Sequence, residues 1–198
     1  MIDYGFGVQL GPISNINPEL ILKWRNDNRI YKWSRQYEPL ESWGHHKWIE
    51  NLPSKTDVKM YGIFYKNKPI GVCGLTSIDF INSRAEFSIY IDPKNHKKGF
   101  GQKSLMTLCS HGFECLNLNN IWGETFQNNS ASKTFEKIGF KKDGTRRSFY
   151  FREGKYINSY IYSLLRSEYD RYRNNPDNNT SWNIYNPNKS LRETTGYC

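Results

Sequence analysis

Residues 85–105 read "AEFSIYIDPKNHKKGFGQKSL". The first seven positions alternate, with Phe87, Ile89 and Ile91 on one side and Glu86, Ser88 and Tyr90 on the other. That pattern predicts a strand with one face on a core. Asp92 and Pro93 end it. Gly99 and Gly101 follow among Lys94, Lys97, Lys98 and Lys103. From Gly101 onward Leu105, Leu108, Cys109, Gly112 and Leu116 recur at helical spacing. A strand that passes through a glycine turn into a helix is a natural anion cradle. The first N–H groups of a helix lack an intrahelical partner and carry partial positive charge, and glycine lets a phosphate approach the backbone. The spacing is neither the GxxxxGK[ST] loop nor GxGxxG, because no third glycine follows. The antiparallel-type run ahead of it also argues against a dinucleotide-binding βαβ unit.

Working outward, "YGFGVQLGPI" (4–13) reads as a first strand closed by Gly11 and Pro12. Asn17 and Pro18 form a helix start before Ile21, Leu22 and Trp24. A second helix is expected near "LESWGHHKWIENL" (40–52), stopping before Pro53. Two strand-like runs in residues 59–80 are split by "KNK", a hairpin turn. Downstream come a short strand "NNIWGETF" (119–126), a helix in "NNSASKTFEKIGF" (128–140) and a long hairpin with "REGK" at its tip. The order is strand, two helices, three antiparallel strands, helix, strand, helix, two strands. This is a mixed α+β layout around one sheet. Residues 1–168 are expected to form the domain. Residues 169–198 are expected to form an Asn-rich extension on which Trp182 and Tyr185 have the means to dock.

The chain has 198 residues, enough for a core without metal or disulfide support. Its 28 Lys and Arg against 19 Asp and Glu give a formal charge of +9, which favours an anionic partner. The basic residues are scattered rather than gathered in a patch, so nucleic acid is not expected. No two cysteines have CxxC spacing and no metal site is expected. No apolar run approaches the ~18 residues of a membrane span. The N-terminus lacks a basic stretch followed by an apolar one. A cytoplasmic protein, monomer or homodimer, without membrane contact is expected.

Taken together, two segments resemble the GNAT N-acetyltransferase superfamily. Residues 85–105 are similar to its pyrophosphate motif, a strand followed by [QR]xxGx[GA] and a helix. Residues 128–140 are similar to the following motif, Nxx[AS]xxx[YF]xxxGF, through Asn128, Ala131, Phe135, Gly139 and Phe140. "YIYSLLRSEY" (160–169) is similar to the last strand of RimJ/RimL-like members. "ILKWRNDNRIYKWS" with "ESWGHHKWIENL" is similar to the front of PseH-like nucleotide-sugar amino N-acetyltransferases, through Trp24, Arg25, Asn26, Trp33, His45 and Trp48.

The resemblance implies a GNAT fold, α+β and layered α/β/α around a mixed, mostly antiparallel sheet with a splay, and acetyl-CoA as the co-substrate that the splay takes. It implies that Tyr90, Ile91, His96, Lys97, Lys98, Gly99, Phe100, Gly101 and Gln102, with Asn128 and Phe135, hold the donor. A backbone N–H near Tyr90 would then hold the thioester carbonyl. The acceptor would be the amine of a UDP- or TDP-linked 4-amino-4,6-dideoxy sugar, met by Trp24, Arg25, Asn26, His45, Thr76 and Glu124. Acetylation of a protein N-terminus, as in RimJ/RimL-like relatives, is the alternative. Acetyl transfer needs a neutral amine, a stabilised oxyanion and two reactants held together. Glu86, Glu124 and His45 are the candidates for taking the proton. Two positions depart from the family pattern. His96 stands at the [QR] position. Phe135 stands where a tyrosine often protonates the leaving thiolate, and Phe has no proton to give.

Overall fold

The computed structural model describes residues 1–174 and 182. Seven strands form one sheet in the order β1-β2-β3-β4-β5-β7-β6. They are β1 (Gln9–Pro12), β2 (Lys59–Tyr65), β3 (Lys68–Asp79), β4 (Arg84–Ile91), β5 (Asn120–Phe126), β6 (Lys141–Arg152) and β7 (Lys155–Leu165). Every neighbouring pair is antiparallel except β4 and β5. The helices are α1 (Pro18–Arg25), α2 (Asn28–Tyr31), α3 (Ser42–Glu50), α4 (Phe100–Glu114), α5 (Ala131–Lys137) and α6 (Arg166–Asn174). Among the described residues, no helix is long and apolar enough to cross a membrane.

Local chemistry sets the boundaries. Asn17 accepts from the Glu19 N–H at 2.9 Å, and Pro18 opens α1, as the sequence predicts. Lys66 and Asn67, both at positive φ, form the two-residue turn between β2 and β3. Glu153 and Gly154 do the same at the tip of the β6–β7 hairpin. Three details differ from the sequence reading. The first strand begins at Gln9, because Gly5 and Gly7 take positive φ and break the extended run; Tyr4, Phe6 and Val8 are buried all the same. The strand also includes Gly11 and Pro12, since Pro12 lies at its end on the sheet edge. The one-turn α2, capped by Asp27, is too short to leave a periodic pattern.

The alternation of β4 holds, and it divides the core in two. Phe87 and Ile91 join Cys73, Leu75, Leu105 and Leu108 on the α4 side of the sheet. Tyr90 packs on the opposite side with Ile21, Trp24, Ile30 and Val72. Both faces of the sheet are therefore covered, which is the expected layered arrangement. The boundary expected at residue 168 is not marked by a change of packing. Tyr169 on α6 stacks on Phe113 at 4.9 Å, Trp182 meets Tyr169 edge-on at 5.1 Å, and the Trp182 indole N–H donates to the Ile138 carbonyl at 2.9 Å. Tyr185 lies outside the described residues.

A histidine sits among the buried residues of this core. His111 on α4 is buried, its Nε2 is 3.1 Å from the Tyr61 hydroxyl, and its Nδ1 has no partner. Burial, with a smaller push from Lys59, lowers its pKa from 6.5 to about 4. The unfolded chain therefore binds the extra proton between these values, and stability falls as pH drops through that window, by about 3 kcal/mol at the bottom. Urea midpoints at about pH 7.5 and about pH 4.5 measure this loss. The His111→Gln variant is expected to lose less than the parent; equal losses would clear His111 of the effect.

Candidate active site

The parallel pair β4 and β5 is joined only at Arg84, Ala85 and Glu86, opposite Asn120, Ile121 and Trp122. Beyond that point both strands continue, to Ile91 and Phe126, without pairing to each other. The Phe87 ring marks the point of separation. A Cβ at Gly123 would fall 2.4 Å from that ring, so Gly123 is the residue that lets Phe87 lie across β5. Phe135 and Phe140 meet Phe87 edge-on at 5.1 and 5.3 Å and hold it there. The strands thus part just beyond this glycine–aromatic contact, and each face of the sheet has a cavity at the opening.

On the α4 side lies a cleft of about 380 Å³. Its floor is Ile89, Tyr90 and Ile91 at the end of β4. One wall is the turn that carries His96, Lys97, Gly99, Phe100, Gly101 and Gln102. The other is the start of α5, with Asn129, Ser130, Thr134 and Phe135. Gly99 caps α4 in the left-handed conformation, φ 77°, where a side chain would be strained. A Cβ at Gly101 would meet only Ile91, at 3.8 Å, so the space before the helix is open. The first N–H groups of α4 face no carbonyl a turn earlier. His96 Nε2 donates to the Ile91 carbonyl at 2.8 Å, which ties the turn to the end of the strand. The turn therefore has the shape and polarity of a diphosphate cradle.

On the opposite face lies a second cavity, of about 540 Å³. Met60, Thr76, Ser88 and Tyr90 form its sheet side. Arg25 ends α1, and Trp43, His45 and Trp48 come from α3. The connection between α2 and α3 closes it with Gln36, Glu38, Pro39, Leu40 and Glu41. Tyr90 belongs to both cavities. Burial pushes its phenol pKa well up, against an opposing pull from Arg25, whose guanidinium lies 5.4 Å above the ring. Arg25 also donates to the Ser34 hydroxyl at 3.3 Å and makes no ion pair among the described residues. His45 is buried, stacks on Trp48 at 5.8 Å, and has no partner at Nε2. Burial lowers its pKa, with the Pro18 backbone contact opposing, so the imidazole is neutral at neutral pH.

The two candidate carboxylates are engaged elsewhere. Arg35 NH2 is 2.7 Å from Glu86 and its NH1 is 3.7 Å from Glu124. Glu124 also receives Arg146 at 3.2 Å, the Tyr150 hydroxyl at 2.9 Å and the Ser159 hydroxyl. Neither Glu86 nor Glu124 lines either of these two cavities. Buried carboxylates need such partners, and these have them.

Several other expected site residues take different places. Trp24 is 4% exposed in the core beneath α1, because its helical spacing turns it inward with Ile21. Asn26 spends its amide on the backbone of Leu40, accepting from the N–H at 2.8 Å and donating to the carbonyl at 3.0 Å. Lys98 donates to the Lys94 carbonyl and to Asn95, so it is turned away from the cleft. Asn128 is exposed; its neighbour Asn129 faces the cleft and accepts from the Ala131 N–H at 3.0 Å. Arg25, His45 and Thr76 line the second cavity, and the remaining expected cradle residues line the cleft on the α4 side. Gln36, Glu38 and Glu41 escaped the sequence reading. Their segment has no periodicity, and its only signal is its place between two aromatic-rich helices.

Residues 10–141 match the family described as Acetyltransferase (GNAT) domain. An uncharacterized N-acetyltransferase, p20 of Bacillus licheniformis, is 32% identical over 61% of this chain and 70% of its own length. Spermidine N(1)-acetyltransferase of Vibrio cholerae is 31% identical over 50% of this chain and 58% of its own, so the match spans little more than half of that relative. The crystal structure of spermidine N-acetyltransferase from Vibrio cholerae, in complex with CoA and spermine, superposes with a TM-score of 0.77 at 23% identity, over 82% of this chain and 98% of that one. RimL, a ribosomal L7/L12 alpha-N-protein acetyltransferase in complex with coenzyme A, gives 0.73 at 17%, over 83% and 97%. At these identities the structures establish the fold alone. With the two motifs, the splayed sheet and the family match over most of the domain, this chain belongs to the GNAT acetyltransferases.

Proposed function

We propose that this chain transfers the acetyl group of acetyl-CoA to a primary amine on a small, polyhydroxylated and anionic molecule, of the nucleotide-linked amino-sugar kind. The observation that carries this reading is the meeting of two cavities at Tyr90, where β4 and β5 have parted. Residues 96–102 would hold the diphosphate of the donor, and the opening beside Ile89 and Ile91 would take its arm. The amine lone pair then attacks the thioester carbonyl carbon, and the carbonyl electrons move to an oxygen that a backbone N–H near Tyr90 receives. Collapse restores the carbonyl, breaks the carbon–sulfur bond and releases the thiolate. Phe135 has no proton for it, so the thiolate leaves as an anion and is protonated from solvent. Of the three groups expected to take the amine proton, only His45 lines the acceptor-side cavity. Its neutral imidazole suits that role. Most of the barrier reduction is assigned to holding the two reactants together.

Arg25 favours an anionic acceptor. It sits on the inner wall without an ion pair among the described residues, where it would repel a polycation and pair with phosphate or sugar hydroxyls. Thr76 and Ser88 add hydroxyls, and Trp43, 74% exposed, offers a flat face to a base or sugar ring. A second reading, acetylation of a polyamine, is favoured by Glu38 and Glu41 on the same cavity.

Thiol release from acetyl-CoA separates these readings. A TDP- or UDP-linked 4-amino-4,6-dideoxy sugar is expected to stimulate it more than spermidine or a peptide amine. Arg25→Ala is expected to raise the KM for the sugar about tenfold. Stimulation by spermidine alone, unaffected at Arg25, would move the assignment to polyamines, and stimulation by the peptide alone would move it to protein N-termini. For the donor side, Gly101→Leu is expected to raise the KM for acetyl-CoA by about tenfold or more and the KM for the amine by less than about threefold. An unchanged acetyl-CoA KM would remove the cradle from this turn.

A further inference from the structure

We infer that Arg152, at the tip of the β6–β7 hairpin, is a positioning residue for the acceptor: it sets the wall of the acceptor-side cavity without touching the ligand. The inference rests on the reading of that cavity as the acceptor site.

Five residues of the connection between α2 and α3 line the cavity, from Gln36 to Glu41, and the connection has no helix or strand of its own. Its shape therefore depends on what holds it from outside. At the far end Asn26 grips the Leu40 backbone on both its N–H and its carbonyl. In the middle the Tyr31 hydroxyl donates to the Tyr37 carbonyl at 2.8 Å, and the two rings stack at 5.2 Å. The near end is held by Arg152. Its NH2 donates to the carbonyls of Ser34 and Arg35, at 3.2 and 2.8 Å. Its guanidinium lies 4.5 Å from the Tyr37 ring, 5.1 Å from Phe126 and 5.3 Å from Tyr150. A planar cation can bridge two carbonyls while stacking on aromatic rings, which a compact ammonium cannot reproduce.

The rings fix Arg152 to the sheet at the very strand, β5, that leaves the splay. Arg35, once its carbonyl is held, turns its own side chain to Glu86 and Glu124. The acceptor wall is thus registered to both strands of the opening, β4 through Glu86 and β5 through Glu124 and Phe126. Arg152 itself does not line the cavity.

The test compares the parent with Arg152→Met, which keeps the stem but loses the fork and the charge, and with Arg152→Lys. Kinetics use whichever amine of the sugar, spermidine and peptide set is acetylated. Arg152→Met is expected to raise the KM for the amine about tenfold, with kcat and the KM for acetyl-CoA within about threefold, and Arg152→Lys is expected to recover only part of the loss. In parallel, hydrogen exchange at the amides of residues 34–40 is expected to speed up about tenfold in Arg152→Met, while α4 is unchanged. An amine KM within twofold of the parent, full recovery by lysine, equal damage to both substrates, or unaltered exchange in residues 34–40 would each overturn the inference. If the parent acetylates none of the amines, the functional reading falls, and exchange at residues 34–40 still decides whether Arg152 holds the connection.

Discussion

Phe87 occupies the room that a side chain at position 123 would need, and the site follows from that exclusion. Two parallel strands that begin in register would ordinarily continue to pair, because unpaired backbone groups are costly to bury. Here the ring, braced by Phe135 and Phe140, lies where the strands part after Glu86 and Trp122. Beyond it the facing edges of β4 and β5 do not pair with each other. Phe135 therefore has a structural reason to be aromatic that is independent of any hydroxyl: its ring supports Phe87 and lines the cleft beside α4 at once. The family tyrosine can be replaced by phenylalanine here without loss of the opening.

The second constraint is electrostatic. Glu86 and Glu124 project from the two strands of the opening, and both carboxylates are buried. Like charges so placed repel, and each would be costly alone. Arg35 lies between them, and Arg146, Tyr150 and Ser159 complete the set around Glu124. The pair anchors the connection between α2 and α3 through Arg35, which accounts for two carboxylates beside the parting of the strands that face neither cavity.

The lining of the cleft beside α4 was legible in the sequence because backbone builds it. A period-two strand, a turn with glycines and a helix start are local patterns, and residues 85–105 contain all three. The motif at 128–140 marked the facing helix, but the fold turns Asn129 to the cleft rather than Asn128, the asparagine that the pattern selects. The lining of the cavity on the other face was legible in part. Arg25, His45 and Thr76 reach the cavity, but Trp24 and Asn26 serve the core and the connection instead. Helical spacing already marked Trp24 as an inward residue beside Ile21; likeness to a sugar-binding motif pulled it the other way. Glu38 and Glu41 left no trace, because nothing periodic surrounds them and their placement depends on contacts such as Arg152 with Arg35, 117 positions apart.

That long separation has a bearing on how the protein is made. Chains emerge from the ribosome N-terminus first, and contacts distant in sequence close last. The connection between α2 and α3, although encoded within the first quarter of the chain, has no near-end fastening until the hairpin tip at residue 152 has been synthesised and folded against β5. The same hairpin supplies β7, which pairs with β5 along its whole length. A nascent chain halted before it would lack the partner of β5 and the fastening of residues 34–41 alike.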